Sequence, residues 1–200
     1  MIRPTRPLIA TAALALATPP AWAHPGAHTE GWMAGLMHPL SGADHLLVTL
    51  GLGLLAGMAT RAAAGSTGTS PGLIARIGMA GALGLAAGAL WAFSTGIGGQ
   101  WVEAAALVGL LAITVALLAA ERLGPLGLTA FALAVAVPHG MLHATEGTGL
   151  AFGLGLAASS VGLYLAGVVF GRQGLAQMRA RTWVATLYAA AFGWMAVGLG

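Results

Sequence analysis

With 200 residues, 58% hydrophobic and only 6% charged, a mean hydropathy of +0.88 and 32 glycines, the chain lacks the polar surface of a water-soluble domain; it is expected to be an all-α membrane protein. Eight arginines against five acids give a formal charge of +3 without a basic patch, which argues against nucleic acid as a partner and leaves the arginines to set orientation in the lipid bilayer. Cysteine and lysine are absent, which excludes disulfides, thiolate metal sites, iron–sulfur clusters and Schiff bases, while imidazole, carboxylate and thioether remain as metal ligands.

The first 23 residues carry Arg3 and Arg6, an apolar stretch over 8–17, Pro19-Pro20 and then Ala21-Trp22-Ala23. This is the three-part pattern of a cleavable secretory signal, with cleavage expected after Ala23. Its apolar core is too short to span the roughly 30 Å hydrocarbon layer comfortably. Residues 24–41 would then be a periplasmic, histidine-containing segment. In it His24-Pro25-Gly26-Ala27-His28 presents a free α-amine and two imidazoles, a weaker candidate for metal binding.

Apolar runs over 42–60, 73–93, 102–120, 125–143, 149–171 and 182–199 predict a polytopic bundle of about six transmembrane helices over residues 42–200. The Gly, Ser and Thr-rich stretch 62–72 reads as a loop. Trp32, Trp91, Trp101, Trp183 and Trp194 fall near proposed span ends, as interfacial aromatics do. Gly53 with Gly57, Gly84 with Gly88, and Gly149 with Gly153 are small-residue pairs expected to let helices approach closely.

Six alternating spans put Arg61, Arg76, Arg122, Arg172, Arg179 and Arg181 on one side, which the positive-inside rule makes the cytoplasm. Both mature termini are then periplasmic and the protein sits in a bacterial inner membrane. All six histidines, with Glu30, Asp44, Glu103 and Glu146, gather at the outer side, and only Glu121 lies inside. Such segregation suits the collection of a cation at the outer face.

Two constellations carry the chemistry. The first is His38, Asp44 and His45. On one continuous helix His38 and His45 share a face two turns apart, whereas Asp44 points about 100° away. Convergence therefore needs a break, expected at Pro39. A purely structural role is available to Asp44, because Ser41-Gly42-Ala43-Asp44 resembles a capping box. The helix dipole favours a first-turn carboxylate by about 0.3 to 1 kcal/mol. An acid drawn into hydrocarbon costs about 2.5 to 3.5 kcal/mol, so capping alone does not account for it. The second constellation is His139, His143 and Glu146, which share one helical face at i, i+4 and i+7. Two imidazoles with a carboxylate above them make a half-site for Ni²⁺, Co²⁺, Cu²⁺ or Zn²⁺. Pro138 should kink the helix beside it. Met33, Met37 and Met141 lie nearby and would suit a softer Cu⁺ site.

With its leader, its histidine-containing start, the His-x5-Asp-His pattern of His38, Asp44 and His45, and the later His139-Gly140 with His143 and Glu146, the chain resembles the HupE/UreJ family of bacterial membrane proteins. That pattern usually repeats His-Gly where this chain has His143-Ala144. The resemblance implies a nickel permease, with cobalt as the second choice, feeding hydrogenase or urease maturation. The residues alone indicate a divalent-cation site at the outer face, built from both constellations between the first and fourth spans. No ATP-binding fingerprint is present, so a channel or secondary carrier is expected, with the metal as cargo and no prosthetic group. Two rivals stand beside it. One is an intramembrane zinc hydrolase, using His45, His139 and His143 as ligands and Asp44 or Glu146 to activate water. The other is a metal sensor or assembly partner that binds without transporting.

Overall fold

The computed structural model describes residues 31–64, 71–143, 149–173, 175 and 178–197. The expected signal segment, the tail histidines His24 and His28, and Glu146 lie outside the described residues. Among the described residues the chain is wholly helical. Its elements are α1 (Trp32–Ser41), α2 (Ala43–Ala64), α3 (Pro71–Thr95), α4 (Gln100–Ala119), α5 (Pro125–Leu142), α6 (Leu150–Gln173) and α7 (Met178–Val197), with a 3-10 turn at Ala120–Arg122.

Five of these, α2 to α6, are long and apolar enough to cross a membrane. They coincide with the first five expected spans. The sixth span forms as the 20-residue α7, but Arg179 and Arg181 sit in its first turns and it is not among the five. Residues 32–41, the end of the expected periplasmic segment, form a helix, α1, that packs across the N-terminal half of α6 with Gly35 and Pro39 buried. Its other faces expose Trp32, Met33, Met37 and Leu40.

Because bulk apolarity gives no drive for one helix to prefer another inside lipid, association rests on close packing. Glycine supplies it here. A Cβ at Gly53 would run into the Tyr164 carbonyl and one at Gly57 into that of Val168, while Gly167 and Gly171 answer from α6 against Leu50 and Leu54. A Cβ at Gly84 would come within 2.6 Å of the Leu133 carbonyl. Two of the expected pairs thus mark the α2–α6 and α3–α5 contacts. The third does not: a Cβ at Gly149 or Gly153 meets nothing within 4 Å.

Residue numbers rise together across both contacts, so α2 runs parallel to α6 and α3 parallel to α5. Alternating crossings require this, since the members of each pair are separated by an odd number of helices. Helix α2 is the centre, touching α1, α3, α4, α5 and α6. The apolar core holds Leu55 of α2, Ile77 of α3, Leu110, Ile113 and Leu117 of α4 and Leu128 of α5. The bundle surface is apolar as well, with Leu83, Phe93, Val115, Leu126 and Leu154 exposed where lipid chains would lie. At one end Arg61 of α2 donates to the Arg172 carbonyl of α6 at 2.8 Å; Asp44 and His45 begin α2 at the other. The chain is a polytopic membrane helix bundle whose histidines and arginines occupy opposite ends of its central helix pair.

Candidate metal centre

The local chain geometry at the first constellation differs from the expected one. Helix α1 continues through Pro39 and stops at Gly42, whose φ of −89° and ψ of 107° are extended. The Gly42 N–H donates to the His38 carbonyl at 3.1 Å, and the Ser41 hydroxyl donates to the same carbonyl at 3.0 Å. Ser41 therefore closes α1 and caps nothing in α2, so the capping box does not form. Asp44 remains in the first turn of α2, where the dipole favours it. The break places His38 on one helix and His45 on the next, which is what convergence demanded, but Gly42 makes it rather than Pro39.

On the second constellation, α5 continues through Pro138 to Leu142, and the His143 N–H donates to the His139 carbonyl to end the helix. Gly140 has a packing role, since a Cβ there would strike the Leu85 carbonyl of α3. This contact fixes the height of His139 in the bundle.

The two constellations meet. His38 Nε2 lies 3.1 Å from His143 Nδ1, and His45 Nδ1 lies 2.9 Å from His143 Nε2. His143 is thus the hub, with ring centroids 4.9 Å from His38 and 4.8 Å from His45. His139 is deeper, its ring 6.4 Å from that of His45 and 6.3 Å from that of His143. Its Nε2 is 3.5 Å from Asp44 Oδ2, the outer limit for a hydrogen bond. His45 and His139 are buried, at 2% and 1% exposure, while His38 and His143 are partly open. Neither ring nitrogen of His139 makes a hydrogen bond, which leaves a fully buried imidazole with two unsatisfied polar atoms. Such burial costs about 1 to 3 kcal/mol, and native structures rarely retain it without a use.

Among the described residues, no three or more of these side chains are arranged as a ready-made metal cage. The reason is visible in the ring contacts: the nitrogens of His38, His143 and His45 point at one another instead of at a common point. Yet two imidazole nitrogens that each bind an ion at about 2.0 to 2.1 Å are themselves about 3 Å apart. The present spacings of 2.9 and 3.1 Å are close to that separation, so each pair has the nitrogen spacing an ion needs. Because the pairs use opposite nitrogens of His143, one ion takes one pair or the other and the remaining ring must turn to join it.

One polar neighbour escaped the sequence reading. Ser160 of α6 places its Oγ 3.1 Å from His45 Nε2. The signal available was the pair Ser159-Ser160 in the middle of an otherwise apolar span. Phe152 was missed too; its ring packs edge-on to His38 at 5.6 Å.

Residues 12–200 match the family described as HupE / UreJ protein. The chain belongs to the HupE/UreJ family. No curated protein and no solved structure matches it. The family is associated with nickel and cobalt transport, which gives this member a role related to metal transport.

Proposed function

We propose that this HupE/UreJ protein takes up a divalent transition metal across the bacterial inner membrane, nickel first and cobalt second, as a channel or secondary carrier supplying hydrogenase or urease maturation. The observation that carries the reading is His139: a buried imidazole with two unsatisfied nitrogens beside the Asp44 carboxylate, its ring next to those of His45 from α2 and His143 at the end of α5, with His38 of α1 joined to the group through His143. Neutral imidazoles bind the ion, and Asp44, joined by Glu146, offsets its charge. His38 and His143, the partly open members, receive it; His24 and His28 act before them as a capturing tail.

The end-to-end separation of histidines and arginines supports a periplasmic site, because the arginine end belongs in the cytoplasm. The metal is cargo, so the protein needs no resident cofactor and catalyses no covalent step. Accumulation of radioactive nickel by cells expressing wild type or His45→Ala at equal level tests the assignment. The variant is expected to fall to the background of cells lacking the protein; equal accumulation would sink the reading.

A further inference from the structure

Beneath the histidines, toward the arginine end, α2, α3, α5 and α6 line a cavity of about 130 Å³ that is partly open at its side. His45, His139 and Ser160 form its upper edge. Along α2 it extends from His45 to Leu52, seven residues or about 10 Å of helix. Below the upper edge its walls are almost wholly apolar, lined by Val48, Leu52 and Ile77.

At the lower end Tyr164 of α6 reaches across to α3. Its hydroxyl donates to the Ile74 carbonyl at 2.7 Å, and its ring lies against Gly78, where a Cβ would be 3.0 Å from the ring edge. Elsewhere α3 and α6 scarcely touch, because α3 is packed on α5 and α6 on α1 and α2. The tyrosine is thus the principal tie across the gap between these two helices. The cavity rim at Ala82 and Val161 faces the hydrocarbon, which accepts no ion. An ion leaving His139 is therefore confined to the axis of the bundle, where an apolar chamber excludes a hydrated cation until it widens and wets.

From this geometry, and resting on the transport reading above, we infer that the cavity is the inward path of the metal and that the Tyr164–Ile74 hydrogen bond is its closed inner gate. Opening breaks that bond and parts α3 from α6. Water then enters the chamber and hydrates the ion as the imidazoles release it. Tyr164 acts on passage and not on capture, since it touches none of the histidines.

The full-length protein in proteoliposomes tests this with two readouts. The first is Ni²⁺ entry, followed with a metal-quenched dye trapped inside, for wild type and Tyr164→Phe. Losing one neutral hydrogen bond should raise the flux about threefold to tenfold while Ni²⁺ binding at equilibrium stays unchanged. The second exploits the absence of cysteine from the chain. Leu52→Cys places a single thiol in the chamber, and a charged, membrane-impermeant thiol reagent should label it slowly when Tyr164 is present and severalfold faster when Tyr164→Ala is added. If wild type passes Ni²⁺ and either its flux or the labelling is unchanged in the Tyr164 variants, the gate is overturned. If wild type passes no Ni²⁺ while Tyr164→Ala still exposes the thiol, the transport reading fails and the closure at Tyr164 stands.

Discussion

Replacing His139 by leucine should make the metal-free protein more stable while removing its function. The imidazole is 1% exposed and both its nitrogens lack hydrogen bonds, so the folded state carries the desolvation of two polar atoms with only the 3.5 Å approach of Nε2 to Asp44 in return. Leucine removes that penalty of about 1 to 3 kcal/mol. Against the gain stand a small loss from the 3.5 Å approach to Asp44, whose side chain is 30% exposed, and imperfect filling of the ring's space. A hydrophobic replacement of similar size costs about 1 kcal/mol in repacking. The balance is a gain of about 1 kcal/mol, or about 2 to 4 °C in midpoint for a chain of this length. Thermal unfolding of the purified protein in detergent, with chelator present, measures it. Nickel accumulation by cells carrying the same variant should fall to background. A midpoint lowered by several degrees would show that His139 is held by interactions that repay its burial, and the argument for a ligand in waiting would collapse.

Four further substitutions probe the same structure. Gly140→Val should destabilise by about 1 to 3 kcal/mol in the same unfolding assay, because its Cβ meets the Leu85 backbone and neither helix can yield cheaply. Gly153→Ala, with open space around it, should be neutral or stabilising by up to about 1 kcal/mol. Ser160→Ala removes the partner of His45 Nε2 and should change nickel affinity, measured by equilibrium dialysis, by about tenfold or less; complete loss of binding would make Ser160 a ligand. Tyr188→Phe removes a 2.8 Å hydrogen bond from α7 to the Leu47 carbonyl, two residues after His45, and should lower stability by about 1 kcal/mol without abolishing binding.

Much of the architecture was legible because hydropathy is a property of single segments. Runs of the right length identified α2 to α6, and alternation of crossings brought the start of α2 and the end of α5 to one end of the bundle, where His45 and His143 indeed meet. Helix α1 was not legible. Ten residues with a glycine, a histidine and a proline look like a tail, and the packing that makes them a helix, with Gly35 tight against α6 and Pro39 buried, is not written in their composition. The role of Ser41 was ambiguous for a related reason: the residue types that start one helix also finish another, and the hydroxyl turned back to the His38 carbonyl. Interhelical register is a property of pairs of segments, which hydropathy does not encode. For that reason the sequence reading identified neither the hub position of His143 nor the proximity of Ser160. The Gly149 and Gly153 pair had the right spacing, but among the described residues no helix lies against it.

The most direct test of the account is flux of Ni²⁺, Co²⁺, Zn²⁺ and Cu²⁺ into liposomes carrying either the wild-type protein or His143→Ala. His143 joins His38 to His45, so its loss removes the hub of the centre while leaving the helices and the approach of His139 to Asp44 in place. Wild type should admit Ni²⁺ and Co²⁺, and the variant should not exceed empty liposomes. Equal flux through both proteins, or no metal flux through either, would contradict the account.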